Sequence, residues 1–197
     1  VGDPPPVDGL QIIHSPSPFG YVSLASLGVT PFDCPTAACD ETGWVIEDLD
    51  FYWWGQHYDS ASWVTNGYLY LSPPGPATSD NQELPDPVEP NHVLAPFWTD
   101  LDLDGGDGVG GGTWYLANLT DGVTTWHVFE WENVEAWNVP GTSYSFQIWI
   151  EVGTSNIWFV FGELSPTLPA ALTVGAEDGS GGEGVVFYYN GSGVPPE

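Results

Sequence analysis

Ser143-Tyr144-Ser145-Phe146-Gln147-Ile148-Trp149-Ile150-Glu151-Val152 alternates along its whole length. Tyr144, Phe146, Ile148, Ile150 and Val152 fall on one side of an extended chain, and Ser143, Ser145, Gln147, Trp149 and Glu151 on the other. Successive side chains of a strand point to opposite faces, so this period predicts an antiparallel strand with one face on a core and one mostly polar, wet face. Working outward, further strands are predicted at 63–71, 92–101, 113–117, 124–134, 157–164, 172–176 and 184–189, each bounded by Gly, Pro, Asn or Asp. Weaker patterns lie at 11–14, 21–24 and 44–54, and a helical period free of Gly or Pro is found nowhere. About ten short strands separated by turn residues predict an all-β fold, an antiparallel, jelly-roll-like β-sandwich with almost no helix.

The chain carries no Lys or Arg against 27 Asp and Glu, a formal net charge of −27. An average composition would supply about twenty basic residues in a chain of this length. No acidic side chain therefore has a permanent cationic partner within the chain, and nucleic acid and anionic membranes are repelled. The same absence leaves a Lys- or Arg-specific peptidase nothing to cut. Salt adaptation competes as an explanation, because salt screens self-repulsion. Total loss of Arg points more towards protease resistance or a special assembly surface.

The acidity sits on a folding sequence, since 42% of the residues are hydrophobic and 15% aromatic, unlike a disordered acidic tail. The length suits one core. Residues 1–9, Val-Gly-Asp-Pro-Pro-Pro-Val-Asp-Gly, read as a proline-stiffened linker and 193–197 as an exit tail, leaving 10–192 as one domain. No apolar run reaches membrane-spanning length, and the chain reads as a mature or excised domain. Cys34 and Cys39 enclose Pro35-Thr36-Ala37-Ala38, a loop that a disulfide can close in an oxidising compartment; a pair of free thiols is the alternative. Asn118-Leu119-Thr120 and Asn190-Gly191-Ser192 match the N-glycosylation pattern, which has meaning only in a eukaryotic source.

Asp100-Leu101-Asp102-Leu103-Asp104-Gly105-Gly106-Asp107 opens like a calcium loop, with carboxylates at alternate positions before a glycine turn. Gly111 stands where an EF-hand places its bidentate Glu, so an EF-hand is not expected. A β-loop calcium site with Asp100, Asp102, Asp104 and Asp107 as ligands is one expectation. A solvated acidic turn, with Leu101 and Leu103 packing inward, is the other. His14, His57, His92 and His127 share no metal-ligand spacing and read as ordinary surface or strand residues.

No catalytic constellation is expected. Gly141-Thr142-Ser143 leads into a strand where a serine nucleophile needs a helix, and no Gly-x-Ser-x-Gly elbow exists. Glu130 and Glu132 flank Trp131 and would face one groove, as a glycosidase pair does, but acidic pairs are unavoidable in this composition. Trp53, Trp54, Trp137 and the outward-phased Trp149 are candidates for stacking on sugars or anchoring a protein; filling the space between sheets is the commoner use.

The run from Phe51 through Gln56-His57-Tyr58-Asp59-Ser60 to Val64-Thr65-Asn66-Gly67-Tyr68-Leu69-Tyr70-Leu71 carries a family look. Ala95-Pro96-Phe97-Trp98-Thr99-Asp100-Leu101, Glu130-Trp131-Glu132-Asn133-Val134 and Ala176-Glu177-Asp178-Gly179 continue it. Over residues 45–190 the chain resembles extracellular nidogen-like β-domains. It is more closely similar to the β-rich accessory modules carried C-terminally by bacterial subtilisin-like and other secreted peptidases. The resemblance implies a secreted, noncatalytic sandwich that engages matrix, cell surface or its own catalytic partner. Relatives use Lys and Arg freely, so their absence here fits a module living beside a Lys/Arg-specific peptidase. The expected partner is a cationic protein surface or a linked catalytic domain. Self-assembly as a fibre subunit through strand edges and calcium, and calcium-dependent glycan binding, are the alternatives.

Overall fold

The alternating stretch forms β8, Tyr144–Glu151, in a computed structural model that describes residues 19–32, 40–103, 111–137 and 139–197. The weak pattern at 11–14 lies outside the described residues, as do His14, Cys34, Cys39, Asp104 and Asp107. On one side β8 pairs with β7, Thr125–Ala136, and on the other with β9, Ile157–Leu164. The far edge of β7 is shared by β6, Thr113–Thr120, and β5, Leu101–Asp102. The facing sheet runs in the order β1 (Gly43–Trp53), β2 (Gln56–Val64), β3 (Tyr68–Tyr70), β4 (Val93–Trp98), β10 (Thr173–Glu177), β11 (Gly184–Tyr189), β12 (Ser192–Gly193). All pairings are antiparallel, and the two sheets make a β-sandwich. Among the described residues the helical content is a single 3-10 turn, Ala25–Leu27, so no helix is long and apolar enough to cross a membrane.

Two predicted strands divide. The stretch 63–71 breaks at Thr65-Asn66-Gly67, where Gly67 has φ +80° and an added Cβ would lie 2.0 Å from the Phe97 carbonyl oxygen. Only glycine meets both demands, so a hairpin replaces a continuous strand. The stretch 92–101 breaks between Trp98 and Leu101, and the chain passes from one sheet to the other there. The stretch 21–24 is not a strand; it leads into the 3-10 turn.

The inter-sheet core is aromatic. Trp63 stacks on Trp114 with centroids 4.4 Å apart, and Phe146 stacks on both Phe97 and Trp131 at 5.0 Å. The Trp131 indole donates across the sandwich to the Val64 and Thr65 carbonyls, each at 3.2 Å, which ties the sheets together without leaving its N–H unpaired. Leu101 and Leu103 pack inward into this core as expected.

The predicted wet face of β8 is dry. Ser145, Gln147 and Trp149 are buried because residues 19–29 lie across the outer face of the β7–β9 sheet. Leu24 fits among Tyr115, Trp126, Val128, Trp149 and Val160, with Tyr21, Val22 and Val29 around it. On the opposite outer face, Leu84 and Ala77 of the loop after β3 cover Tyr68, Val93, Ala95 and Trp98. Period two reports which residues share a face, not what covers that face.

Candidate functional site

In a chain without Lys or Arg, each buried carboxylate must be completed by backbone N–H groups, neutral side chains, a proton or a cation from outside. Three regions solve this differently.

At the sheet-to-sheet crossing, Asp40, Glu41 and Asp100 bring carboxylate oxygens within 4.8 Å of one another. Asn66, fully buried in the hairpin turn, organises the place: its Oδ1 accepts the Leu101 N–H at 3.0 Å and its Nδ2 donates to Glu41 at 3.2 Å. Burial pushes Asp100 up to about 6, reinforced by the charges of Glu41, Asp40, Asp102 and Asp80. Asp102 is buried and stands in register with Glu135 of β7, itself 3% exposed. One Glu135 oxygen accepts the Gly141 N–H, and the other has no hydrogen-bond donor among the described residues. Carboxylate oxygens this close together are the type of donor that a hard cation takes. Of the four expected ligands, Asp100 and Asp102 sit in this region, and Asp104 and Asp107 belong to the undescribed segment between them and Gly111.

Glu130, fully buried, lies beneath the 19–29 segment. Its two oxygens accept the Leu24 N–H at 3.0 Å and Gln147 Nε2–H at 2.8 Å. The Trp149 indole donates to Gln147 Oε1 and Gln147 also donates to the Val22 carbonyl, which fixes the amide's orientation. Burial raises the Glu130 carboxyl, partly offset by the hydrogen bonds from Leu24 and Gln147. Glu132 accepts the Ser23 hydroxyl at 2.7 Å. The pair expected to face a groove is covered by chain and clamps the N-terminal segment down.

Glu177, also fully buried, ends β10. Its backbone carbonyl accepts the Trp53 indole N–H and its Oε2 accepts the Asp86 N–H, both at 2.9 Å. Burial pushes the carboxyl up to about 7, with the charges of Asp86, Asp178 and Glu89 adding to the effect.

The remaining expected residues scatter. Trp53 and Trp149 are buried and present no face to a glycan or partner; Trp54 and Trp137 are half-buried, with Trp54 edge-on to Trp53. Asn118 and Asn190 are exposed, though Asn118 Oδ1 is bonded to His127 Nδ1 and Asn190 Oδ1 accepts the Leu172 N–H. His57 bridges to Asp50 at 2.8 Å, and His92 Nδ1 to the Tyr58 hydroxyl at 2.8 Å. Ser143 lies in the turn before β8 beside Asn133.

A model of the family described as NIDO related matches residues 48–194. The chain belongs to this family. No curated protein and no solved structure matches it. The NIDO-related match begins inside β1 and ends just past β12, so it takes in both sheets and leaves outside it the 19–29 cover and the Asp40–Glu41 pair. Sequence reasoning missed Asp40, Glu41, Glu135 and Glu177, because each reads alone as one more acid in an acidic chain. Asn66, bonded to Glu41 and to the Leu101 N–H, ties Glu41 to the residue after Asp100.

Proposed function

We propose that this NIDO-related sandwich is a noncatalytic extracellular accessory or binding domain that works attached to, or in the presence of, a secreted Lys/Arg-specific peptidase. The observation that carries the reading is the absence of all Lys and Arg from a chain with 27 Asp and Glu. Buried neutral side chains and backbone N–H groups, rather than cations, satisfy Glu130, so the fold has dispensed with basic residues internally as well as on its surface. A net charge of −27 favours a cationic partner surface and speeds encounter with it. Calcium at Asp40, Glu41 and Asp100, with Asp102 and Glu135 behind them, would cancel repulsion where the chain crosses between sheets.

The test introduces the missing residue. Leu27→Lys and Val123→Lys place a lysine at positions 56% and 95% exposed. Incubated with a Lys-specific peptidase, both variants are expected to be cleaved while the parent stays intact by mass spectrometry. Equal survival of all three would show that fold alone confers resistance and would remove the peptidase half of the reading.

A second reading, assembly through strand edges, draws on β9, which ends its sheet and carries one acidic residue, Glu163, in eight. Light scattering with and without calcium decides it: calcium-dependent oligomers support assembly, and a monomer in both removes it.

A further inference from the structure

The loop 84–92 and the turn 178–183 meet over the end of β10, where two buried side-chain oxygens lack donors among the described residues. Glu177 Oε1 and Asn91 Oδ1 have no hydrogen-bond partner among the described residues, and the two residues are 0% and 6% exposed. Asn91 is fixed in this sense. Its Nδ2 faces Glu89 Oε1 at 3.5 Å and its backbone N–H donates to Glu89 Oε2 at 3.0 Å, so turning the amide over would set oxygen against carboxylate. A Cβ added at Gly181 would fall 2.4 Å from Asn91 Oδ1 and 2.1 Å from the Asp86 carbonyl oxygen, so these two oxygens lie side by side against the Gly181 backbone. The Asp86 N–H holds Glu177 by its other oxygen, which brings the carboxylate to the same loop.

We infer that Glu177 Oε1, Asn91 Oδ1 and the Asp86 carbonyl form a second cation site, for a hard oxygen-seeking ion of the calcium type. Three acceptors with no donor match a cation better than a water, which has two hydrogens to give. The carboxylates of Asp86, Glu89 and Asp178 strengthen the negative field at the site. The chain has no Lys or Arg to supply the positive charge, and His92 is tied to Tyr58 and has its proton affinity lowered by burial. Bound there, the ion would lock the 84–92 loop to β10. The inference is independent of the Asp40, Glu41 and Asp100 reading.

The test uses the full chain freed of metal by chelator and then titrated with calcium, read by melting temperature, and with terbium, read by tryptophan-sensitised luminescence. Trp53, hydrogen-bonded to the Glu177 carbonyl, is the local sensitiser. Glu177→Gln should lose most of the calcium-induced rise in melting temperature and one class of terbium sites. Asn91→Ala, which removes a single neutral ligand, should weaken the response roughly tenfold, and it stands in if the first variant fails to fold. Asp100→Asn should keep this response. A calcium response unchanged in both Glu177→Gln and Asn91→Ala overturns the inference while leaving the Asp100 reading standing. Loss in Asp100→Asn alone assigns the ion to the crossing, and no response in the parent chain overturns both.

Discussion

Glu130 and Glu177 are the same residue under the same burial, and both have their carboxyls raised by it. Around Glu130 the chain supplies a donor to each oxygen, from Leu24 and from Gln147. Around Glu177 it supplies one donor, from Asp86, and leaves the other oxygen, like Asn91 Oδ1 of the docked loop, without one among the described residues. The first is a closed polar network that fastens a cover segment to a sheet. The second is incomplete until something positive arrives. Burial and acidity do not by themselves mark a site; the inventory of donors does.

The largest way to break the closed network is Glu130→Ala. It strands the Leu24 N–H and a Gln147 amide hydrogen in a dry interface, and a loss of about 3 kcal/mol is expected in urea unfolding. Next comes Gly181→Ala at the incomplete junction. Its φ of +60° and the 2.1 Å approach to the Asp86 carbonyl predict a loss of about 2 kcal/mol, with calcium response lost as well. Glu130→Gln sharpens the contrast. Its new amide must point at either Leu24 N–H or Gln147 Nε2–H, and Gln147 cannot turn over without abandoning the Trp149 indole. A loss of about 1.5 kcal/mol follows, read from the urea midpoint.

The smallest expected effect is on pH. Glu130 is faced by Tyr21 from the cover segment, by Glu132 from its own strand and by Tyr115 from β6, with no cation among them. Because its folded carboxyl is raised, the folded state holds the proton more tightly than the unfolded chain. Its contribution is favourable below the ordinary carboxylate range and is lost as pH rises through the raised value. Stability at low ionic strength should therefore fall from mildly acidic to neutral pH, and more shallowly in Glu130→Gln. A midpoint that climbs over that range would contradict the assignment.

Much of the fold was legible because alternation is a local property. Residues 144–151, 157–164 and 184–189 read as strands and are strands. The break at Thr65-Asn66-Gly67 was written in its turn residues, yet the apolar residues on both sides carried the predicted strand across it. Trp149 was phased correctly and placed wrongly in the wet: what covers it is Leu24 and its neighbours, over a hundred positions away, and periodicity carries no such information. The acid centres fail for the same reason. Asp100 announced itself by the spacing of its neighbours, whereas Asp40 and Glu41 lie far off in sequence and come beside it in the fold, with Glu41 tied to the hairpin by Asn66. Glu177 stands one position past the predicted strand 172–176 and figures only within the family look, whereas in the fold its carboxylate is held by the Asp86 N–H of the 84–92 loop.

The decisive measurement is the order of urea midpoints of the parent chain and Glu177→Gln at neutral pH, first in chelator and then in calcium at matched ionic strength. In chelator the variant should be the more stable by about 1 kcal/mol, because a buried carboxylate repelled by Asp86, Asp178 and Glu89 has been made neutral. In calcium the order should invert, the parent gaining what the variant cannot bind. The same order in both solutions would contradict the claim that Glu177 awaits a cation.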